Sequence, residues 1–128
     1  MDFSLFAQKF QQTLTVGTIL PNPGGGISEV LHYTDETVIY RRGKSQIRAS
    51  LRVFHAACER FWGRRMTSSD LRQCFPSTFD SKHSGHSCNC TFLFMALQMM
   101  SLVTEIHGEG KKNAPFYVWM PRADELLN

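Results

Sequence analysis

Two histidines and two cysteines fall within eight residues, His83-Ser84-Gly85-His86-Ser87-Cys88-Asn89-Cys90. Imidazole and thiolate are the usual ligands of zinc, so His83, His86, Cys88 and Cys90 are the metal candidates of the chain. Structural zinc sites, however, separate their ligand pairs by a dozen or more residues, whereas these pairs are H-x-x-H and C-x-C and nearly contiguous. A single loop rarely wraps all four around one ion. The spacing therefore predicts no metal and no cofactor, with Ser87 capping a helix and Cys90 acting as a small buried hydrophobe. A thiol at a helix N-terminus beside an imidazole is also a nucleophile in principle, Cys88 with His83 or His86, but no third group is in view to orient the base.

A second stretch with chemical content is Arg41-Arg42-Gly43-Lys44-Ser45. Gly-Lys-Ser ends a phosphate-binding loop, yet the glycine required five residues before Gly43 is Val38, so the loop itself is missing. The expectation is a strand-to-helix turn with Ser45 as cap, leaving backbone N–H groups beside Arg41, Arg42 and Lys44 to hold a phosphate. Glu109-Gly110-Lys111 matches half of a metal-dependent nuclease motif, but it falls on an expected loop tip with only Asp80 as a further acid. No convergent acid/base pair emerges, and no enzymatic activity is expected.

The elements that position these residues follow from periodicity and capping. Asp2 caps a first helix whose apolar positions are Phe3, Phe6, Phe10 and Leu14. An extended piece over 15–20 runs into Pro21-Asn22-Pro23-Gly24-Gly25-Gly26, a turn or loop by composition. Residues 27–33 and 37–40, rich in β-branched and aromatic side chains around Thr34-Asp35-Glu36, form a β-hairpin. A long helix is expected over 45–62, because Ile47, Leu51, Phe54, Cys58 and Phe61 fall at offsets 0, 4, 7, 11 and 14. Arg48, Arg52, His55 and Glu59 repeat those offsets one residue later as a polar stripe, available to pair with Asp35, Glu36 or Glu59. Thr67 with Asp70 three residues on caps a short helix that Pro76 stops. A polar linker over 77–87 leads to a third helix over 88–100, then a strand over 102–106, a glycine-bearing turn with Lys111 and Lys112, and a returning strand over 115–120.

The chain has 128 residues and one domain's worth of sequence, with 42% hydrophobic and 20% charged residues. That composition excludes a disordered tail, and no apolar run approaches the length of a membrane span. With four cysteines and no basic, apolar leader in view, a reducing, cytoplasmic setting is expected. The net charge of +3 is unevenly spread: residues 41–82 carry ten Lys or Arg against Glu59, Asp70 and Asp80, net +7. Such a basic middle third is the footprint of an anionic partner, most simply nucleic acid, or else a solvated face. The ten Phe, three Tyr and two Trp fall mostly on core-facing periods, so they read as packing before base-stacking.

From residue 45 to 120 the order is long helix, short helix, linker, third helix, hairpin with a basic tip. That order resembles the winged-helix variant of the helix-turn-helix. The resemblance implies an α+β fold: a winged-helix-like body over 45–120, an added N-terminal helix and β-hairpin over 1–44, and a polar tail over 121–128. It also implies duplex DNA as partner, with the third helix in the major groove and the hairpin wing on the backbone. The third helix here has no Lys or Arg and is apolar all round beyond Asn89, Thr91 and Gln98. The DNA contacts expected are therefore Arg64, Arg65, Arg72, Lys82, Lys111 and Lys112 on phosphates, converging on one face, and Asn89 on an adenine edge. Winged-helix domains also serve as protein-docking and dimerisation modules. The alternative expectation is thus a homodimer or partner-binding module that uses the apolar third helix and binds no DNA.

Overall fold

Asp2 accepts a hydrogen bond from the Leu5 N–H at 2.8 Å and caps α1 (Phe3–Thr13). Phe6, Phe10 and Leu14 lay the buried face of this helix into the core. The computed structural model describes residues 1–122; the remainder of the tail expected over 121–128 lies outside the described residues.

Four strands follow in an antiparallel sheet of order β1-β2-β3-β4: β1 (Ile19–Pro21), β2 (Ile27–Thr34), β3 (Thr37–Arg42) and β4 (Ser45–Ser50). Residues 15–18 are a turn rather than extended chain, closed by Thr18 N–H to the Thr15 carbonyl at 3.0 Å. The hairpin expected around Asp35-Glu36 is present, with Thr34 opposite Thr37. Val30, Val38 and Tyr40 from its strands are buried.

The helix expected over 45–62 is half strand. Residues 45–50 pair with β3, Arg42 opposite Ser45, and α2 (Leu51–Arg60) begins only after them. Two local signals outweigh the helical period. Gly43 at φ +61 opens a two-residue turn with Lys44, a glycine-first geometry that suits a hairpin. Ile47 and Ala49 are buried between exposed neighbours, the two-residue alternation of a strand. Position 47 satisfies both periods, which is why it extended the helical pattern. Ser50 then supplies the cap expected of Ser45, its Oγ accepting from Val53 N–H at 3.3 Å. The division at residue 45 accordingly cuts a hairpin, and Arg48 lies on a strand. Arg52 pairs with Glu36 at 2.7 Å.

Beyond Gly63, β5 (Arg65–Thr67) leads into α3 (Ser68–Cys74), whose capping box is complete. Thr67 Oγ1 accepts from Asp70 N–H at 2.9 Å and Asp70 Oδ2 from Thr67 N–H at 3.0 Å. Pro76 does more than stop this helix: it is the first residue of α4 (Pro76–Phe79), which continues into a 3₁₀ turn (Ser81–His83). The expected linker is therefore largely folded.

The third helix of the sequence reading is α5 (Cys88–Met99). It is apolar all round because it runs through the core. Phe92 stacks on Tyr40 of β3 at 3.8 Å between centroids and meets Phe10 of α1 and Phe54 of α2. Residues 92–97 are all buried, and each large side chain among them contributes about 1.5–3 kcal/mol. Ser87 makes no side-chain capping bond to this helix, contrary to expectation.

The strand expected over 102–106 does not form. The returning strand does, as β6 (Tyr117–Trp119), but its partner is β5: Arg65 faces Trp119 and Thr67 faces Tyr117. Only isolated bridges, His107 with Tyr117 and Lys111 with Ala114, close the loop between α5 and β6. The chain is α+β. Among the described residues no helix is long and apolar enough to cross a membrane.

Candidate anion-binding cleft

Three segments far apart in sequence bring cations to one place. Arg42 is the last residue of β3, set beside the Gly43-Lys44 turn. Arg72 lies in the last turn of α3, whose start is fixed by the Thr67–Asp70 box. Lys111 and Lys112 sit on the loop before β6, held by Ala114 N–H to the Lys111 carbonyl at 3.0 Å and Glu109 N–H to the Ala114 carbonyl at 2.9 Å. Gly108, at φ +94, makes that loop possible, since a Cβ there would collide with the Pro115 carbonyl.

Together these four cations line an open cleft of about 280 Å³, with Ser68, Ser87, Cys88, Cys90, Thr91, Gly110, Pro115 and Phe116 completing its wall. No carboxylate lines it. Arg42 and Arg72 are half-buried, Lys111 and Lys112 exposed. Two of the contacts to these guanidiniums are long, Arg42 Nη1 donating to Thr91 Oγ1 at 3.5 Å and Arg72 Nη2 to Ser69 Oγ at 3.4 Å, and Arg72 also reaches the Cys90 thiol, a weak acceptor. Ordinary N–H···O bonds run to about 2.7–3.2 Å, so most of the donor capacity of both forks is still available. Glu109 lies 3.9 Å from Lys111 with both side chains largely exposed, a weak pair. At neutral pH the cleft is a pocket of positive potential with the Ser68 and Ser87 hydroxyls in its wall, while the Thr91 hydroxyl donates to the Cys88 carbonyl at 3.2 Å.

The other expected contacts lie elsewhere. Arg64 bonds the Arg60 carbonyl at 3.0 Å and lies over the Phe61 ring, while Arg65 lies over Tyr117. Neither lines the cleft: of the cations expected to converge on one face, Arg72, Lys111 and Lys112 line it and Arg64 and Arg65 do not. Lys82 is exposed on the 3₁₀ turn. Arg41 is engaged by Glu29 at 2.8 Å, and Lys44 is exposed at the hairpin turn. The helix N-terminus expected beside Arg41, Arg42 and Lys44 is absent, because a strand follows; Arg42 joins the cleft through the sheet instead.

Asn89 requires a correction. It is 1% exposed, accepts the Tyr40 hydroxyl on Oδ1 at 2.7 Å and donates from Nδ2 to the Thr78 carbonyl at 2.9 Å. It knits β3, α4 and α5 together and presents nothing to a base edge. Burial holds the Tyr40 hydroxyl protonated, well above its ordinary range.

The histidine–cysteine stretch does not form one cluster, although His86 and Cys88 line a shared depression with Arg42 and Ser45. His83 is held by Asp80 at 2.9 Å, and the Asp80 carboxyl is pushed below its usual range, first by the Lys82 N–H and then by His83. Cys90 is buried, its Sγ 3.7 Å from the Ser68 carbonyl, and burial raises its thiol to about 12. The Cys88 sulfur lies 3.4 Å from the Tyr40 hydroxyl. Among the described residues no three of His, Cys, Asp and Glu gather to hold a metal, and all four cysteines are free.

A second depression, about 410 Å³, is apolar. It lies between β1 and the end of α5, with Ile19, Pro21, Met95, Met99 and Ile106 in its wall and Ile19 and Met99 exposed. Ser68 and Thr91, which join the cationic cleft, carry no signal in the sequence that would single them out. No protein-family model, curated protein or solved structure matches the chain.

Proposed function

We propose that this protein binds nucleic acid, duplex DNA in the first instance, by docking on phosphates through the cleft formed by Arg42, Arg72, Lys111 and Lys112. The observation that carries this reading is the convergence of four cations from three separate segments on an acid-free cleft. Cations that merely solubilise a surface have no reason to face one another, since like charges repel; an anion that joins them removes that penalty. Binding on this account is electrostatic and indifferent to sequence. The middle of α5, residues 92–97, is buried and offers no side chain to a groove, and phosphate contacts position without specifying. The winged-helix resemblance enters this proposal only through the order α2, β5, α3, α4, α5, β6 with a lysine-bearing loop before the last strand, without the long first helix and the hairpin wing it was drawn from. No enzymatic step is assigned. Four free cysteines fit a reducing, cytoplasmic setting.

The rival reading, a partner-binding or dimerisation module, has one observation in its favour: the apolar depression with Ile19 and Met99 exposed. Its expected surface, the third helix, is mostly enclosed by the chain's own core. Fluorescence anisotropy of a labelled 20-base-pair duplex of random sequence, titrated with the protein at 50 mM salt, separates the two. Saturable binding in the micromolar range or tighter supports phosphate docking. No binding at about 100 μM protein, a level that would reveal even ordinary non-specific affinity, overturns it.

A further inference from the structure

We propose that the cleft is built for the end of a strand, and that its floor holds a terminal phosphate monoester while its rim holds the neighbouring phosphodiesters. This inference rests on the nucleic-acid reading and deepens it.

The first support is the division of the cations by depth. Arg42 and Arg72 are half-buried and Lys111 and Lys112 exposed, so the forks form a recessed pair and the ammonium groups an outer one. A phosphodiester within a strand carries one negative charge, whereas a monoester carries about −1.5 to −2 at pH 7 and has three free oxygens. Two guanidiniums balance that charge and present the planar forks that suit phosphate oxygens bidentately. Their contacts to Thr91 and Ser69, at 3.5 and 3.4 Å, are long, and the Cys90 thiol beside Arg72 is a weak acceptor, so a charged acceptor outcompetes all three. Among the described residues no carboxylate pairs with either.

The second support is size and shape. A cleft of about 280 Å³ falls just below the range of roughly 300–1,000 Å³ typical of sites for whole small ligands, which suits one phosphate and its sugar better than a run of backbone. An internal phosphodiester is flanked on both sides by sugars and lies on a convex cylinder. It can touch a rim but not enter a recess unless the strand bends on either side. An end enters alone. The wall supports the same orientation: Ser68 brings a hydroxyl, and Ser87 is not committed to capping α5. Pro115 and Phe116 supply the apolar side against which a sugar ring can lie.

The test compares three 20-base-pair duplexes of one sequence with 5′-phosphate, 3′-phosphate or hydroxyl ends, titrated by anisotropy at 150 mM salt. One phosphorylated end is expected to bind about tenfold tighter than the hydroxyl end, a difference of ~1.4 kcal/mol. Which end shows it distinguishes the two sources of the same chemistry. Arg42→Gln with Arg72→Gln is expected to abolish the preference while leaving residual binding to all three. Should that variant fail to fold, Lys111→Gln with Lys112→Gln keeps the test open: these exposed positions are expected to weaken all three duplexes alike and preserve the tenfold ratio. Equal affinity for all three ends with the unmodified protein overturns the inference and leaves phosphate docking standing. No binding to any of them overturns both. A phosphoserine peptide of neutral flanks that binds as tightly as the phosphorylated duplex overturns the assignment of the cleft to nucleic acid.

Discussion

Replacing the two rim lysines is the most informative perturbation of the account. Lys111 and Lys112 are exposed and sit on a loop held by backbone hydrogen bonds and Gly108, so Lys111→Ala with Lys112→Ala is expected to leave the fold intact. Each lysine that neutralises a phosphate contributes about 0.9 to the slope of log K against log salt on B-form DNA, so removing both makes the slope shallower by about 1.8. Over the fourfold range from 50 to 200 mM salt, the advantage of the unmodified protein over the variant then shrinks by about 12-fold. Anisotropy titrations at four salt concentrations on one hydroxyl-ended duplex measure both slopes. A variant with the same slope as the unmodified protein refutes the placement of these lysines on phosphates, even if its affinity is lower at one salt concentration. A lower melting temperature in the variant would refute the claim that the loop is held without them.

Other outcomes follow from the same contacts. Tyr40→Phe removes the hydroxyl that Asn89 Oδ1 accepts at 2.7 Å and leaves a buried acceptor unpaired; urea unfolding should show a loss of about 1–3 kcal/mol, with duplex affinity changed less than twofold. Gly108→Ala forces a left-handed residue against the Pro115 carbonyl, so the loop must shift; duplex affinity should fall several-fold although no charge is altered, and unchanged binding would show that the lysines need no fixed loop. Alkaline pH should destabilise the fold. The Cys90 thiol is raised by burial from 9.0 to about 12, so between those values the unfolded chain loses a proton that the folded chain keeps, and stability falls as pH rises. The slope is about 1.4 kcal/mol per pH unit while the gap is open, with Cys58, Tyr33 and Tyr40 shifted in the same direction. Urea unfolding at pH 8 and pH 10.5 under reductant measures it, and equal stability at the two pH values would contradict the burial of these groups.

Much of the architecture was legible from local chemistry. Asp2 and the phenylalanine spacing announced α1, the β-branched stretch around Asp35-Glu36 announced the β2–β3 hairpin, and Thr67 with Asp70 announced the start of α3. The all-round apolarity of residues 92–97 fitted either a helix buried on all sides or one presenting an apolar face to another chain, and in the fold these residues are buried by the chain's own core. What stayed hidden depends on partners distant in sequence. Ile47 fits both a helical stripe and a strand alternation, and only the glycine-first turn at 43–44 decides between them. Residues 65–67 carry too short a pattern to read as a strand; they become one because residues 117–119 lie beside them. Asn89 looks like a base reader on a bare helix and turns out to be a buried tie between Tyr40 and Thr78. The cleft was half legible: the basic stretch 41–82 contains Arg42 and Arg72, and Lys111 and Lys112 stood out on an expected loop tip, but nothing local distinguishes them from Arg64 or Arg65, which the fold directs elsewhere.

The central claim, that the cleft between β3, α3 and the loop before β6 is where the protein meets its anionic partner, is tested most directly by ¹⁵N chemical-shift mapping during titration with a short 5′-phosphorylated duplex. The account predicts that amides of Ser68, Arg72, Thr91, Gly110, Lys111 and Lys112 shift together and saturate at one equivalent of duplex ends. Shifts confined to the apolar depression around Ile19, Met99 and Ile106, or no shifts at all, would contradict it.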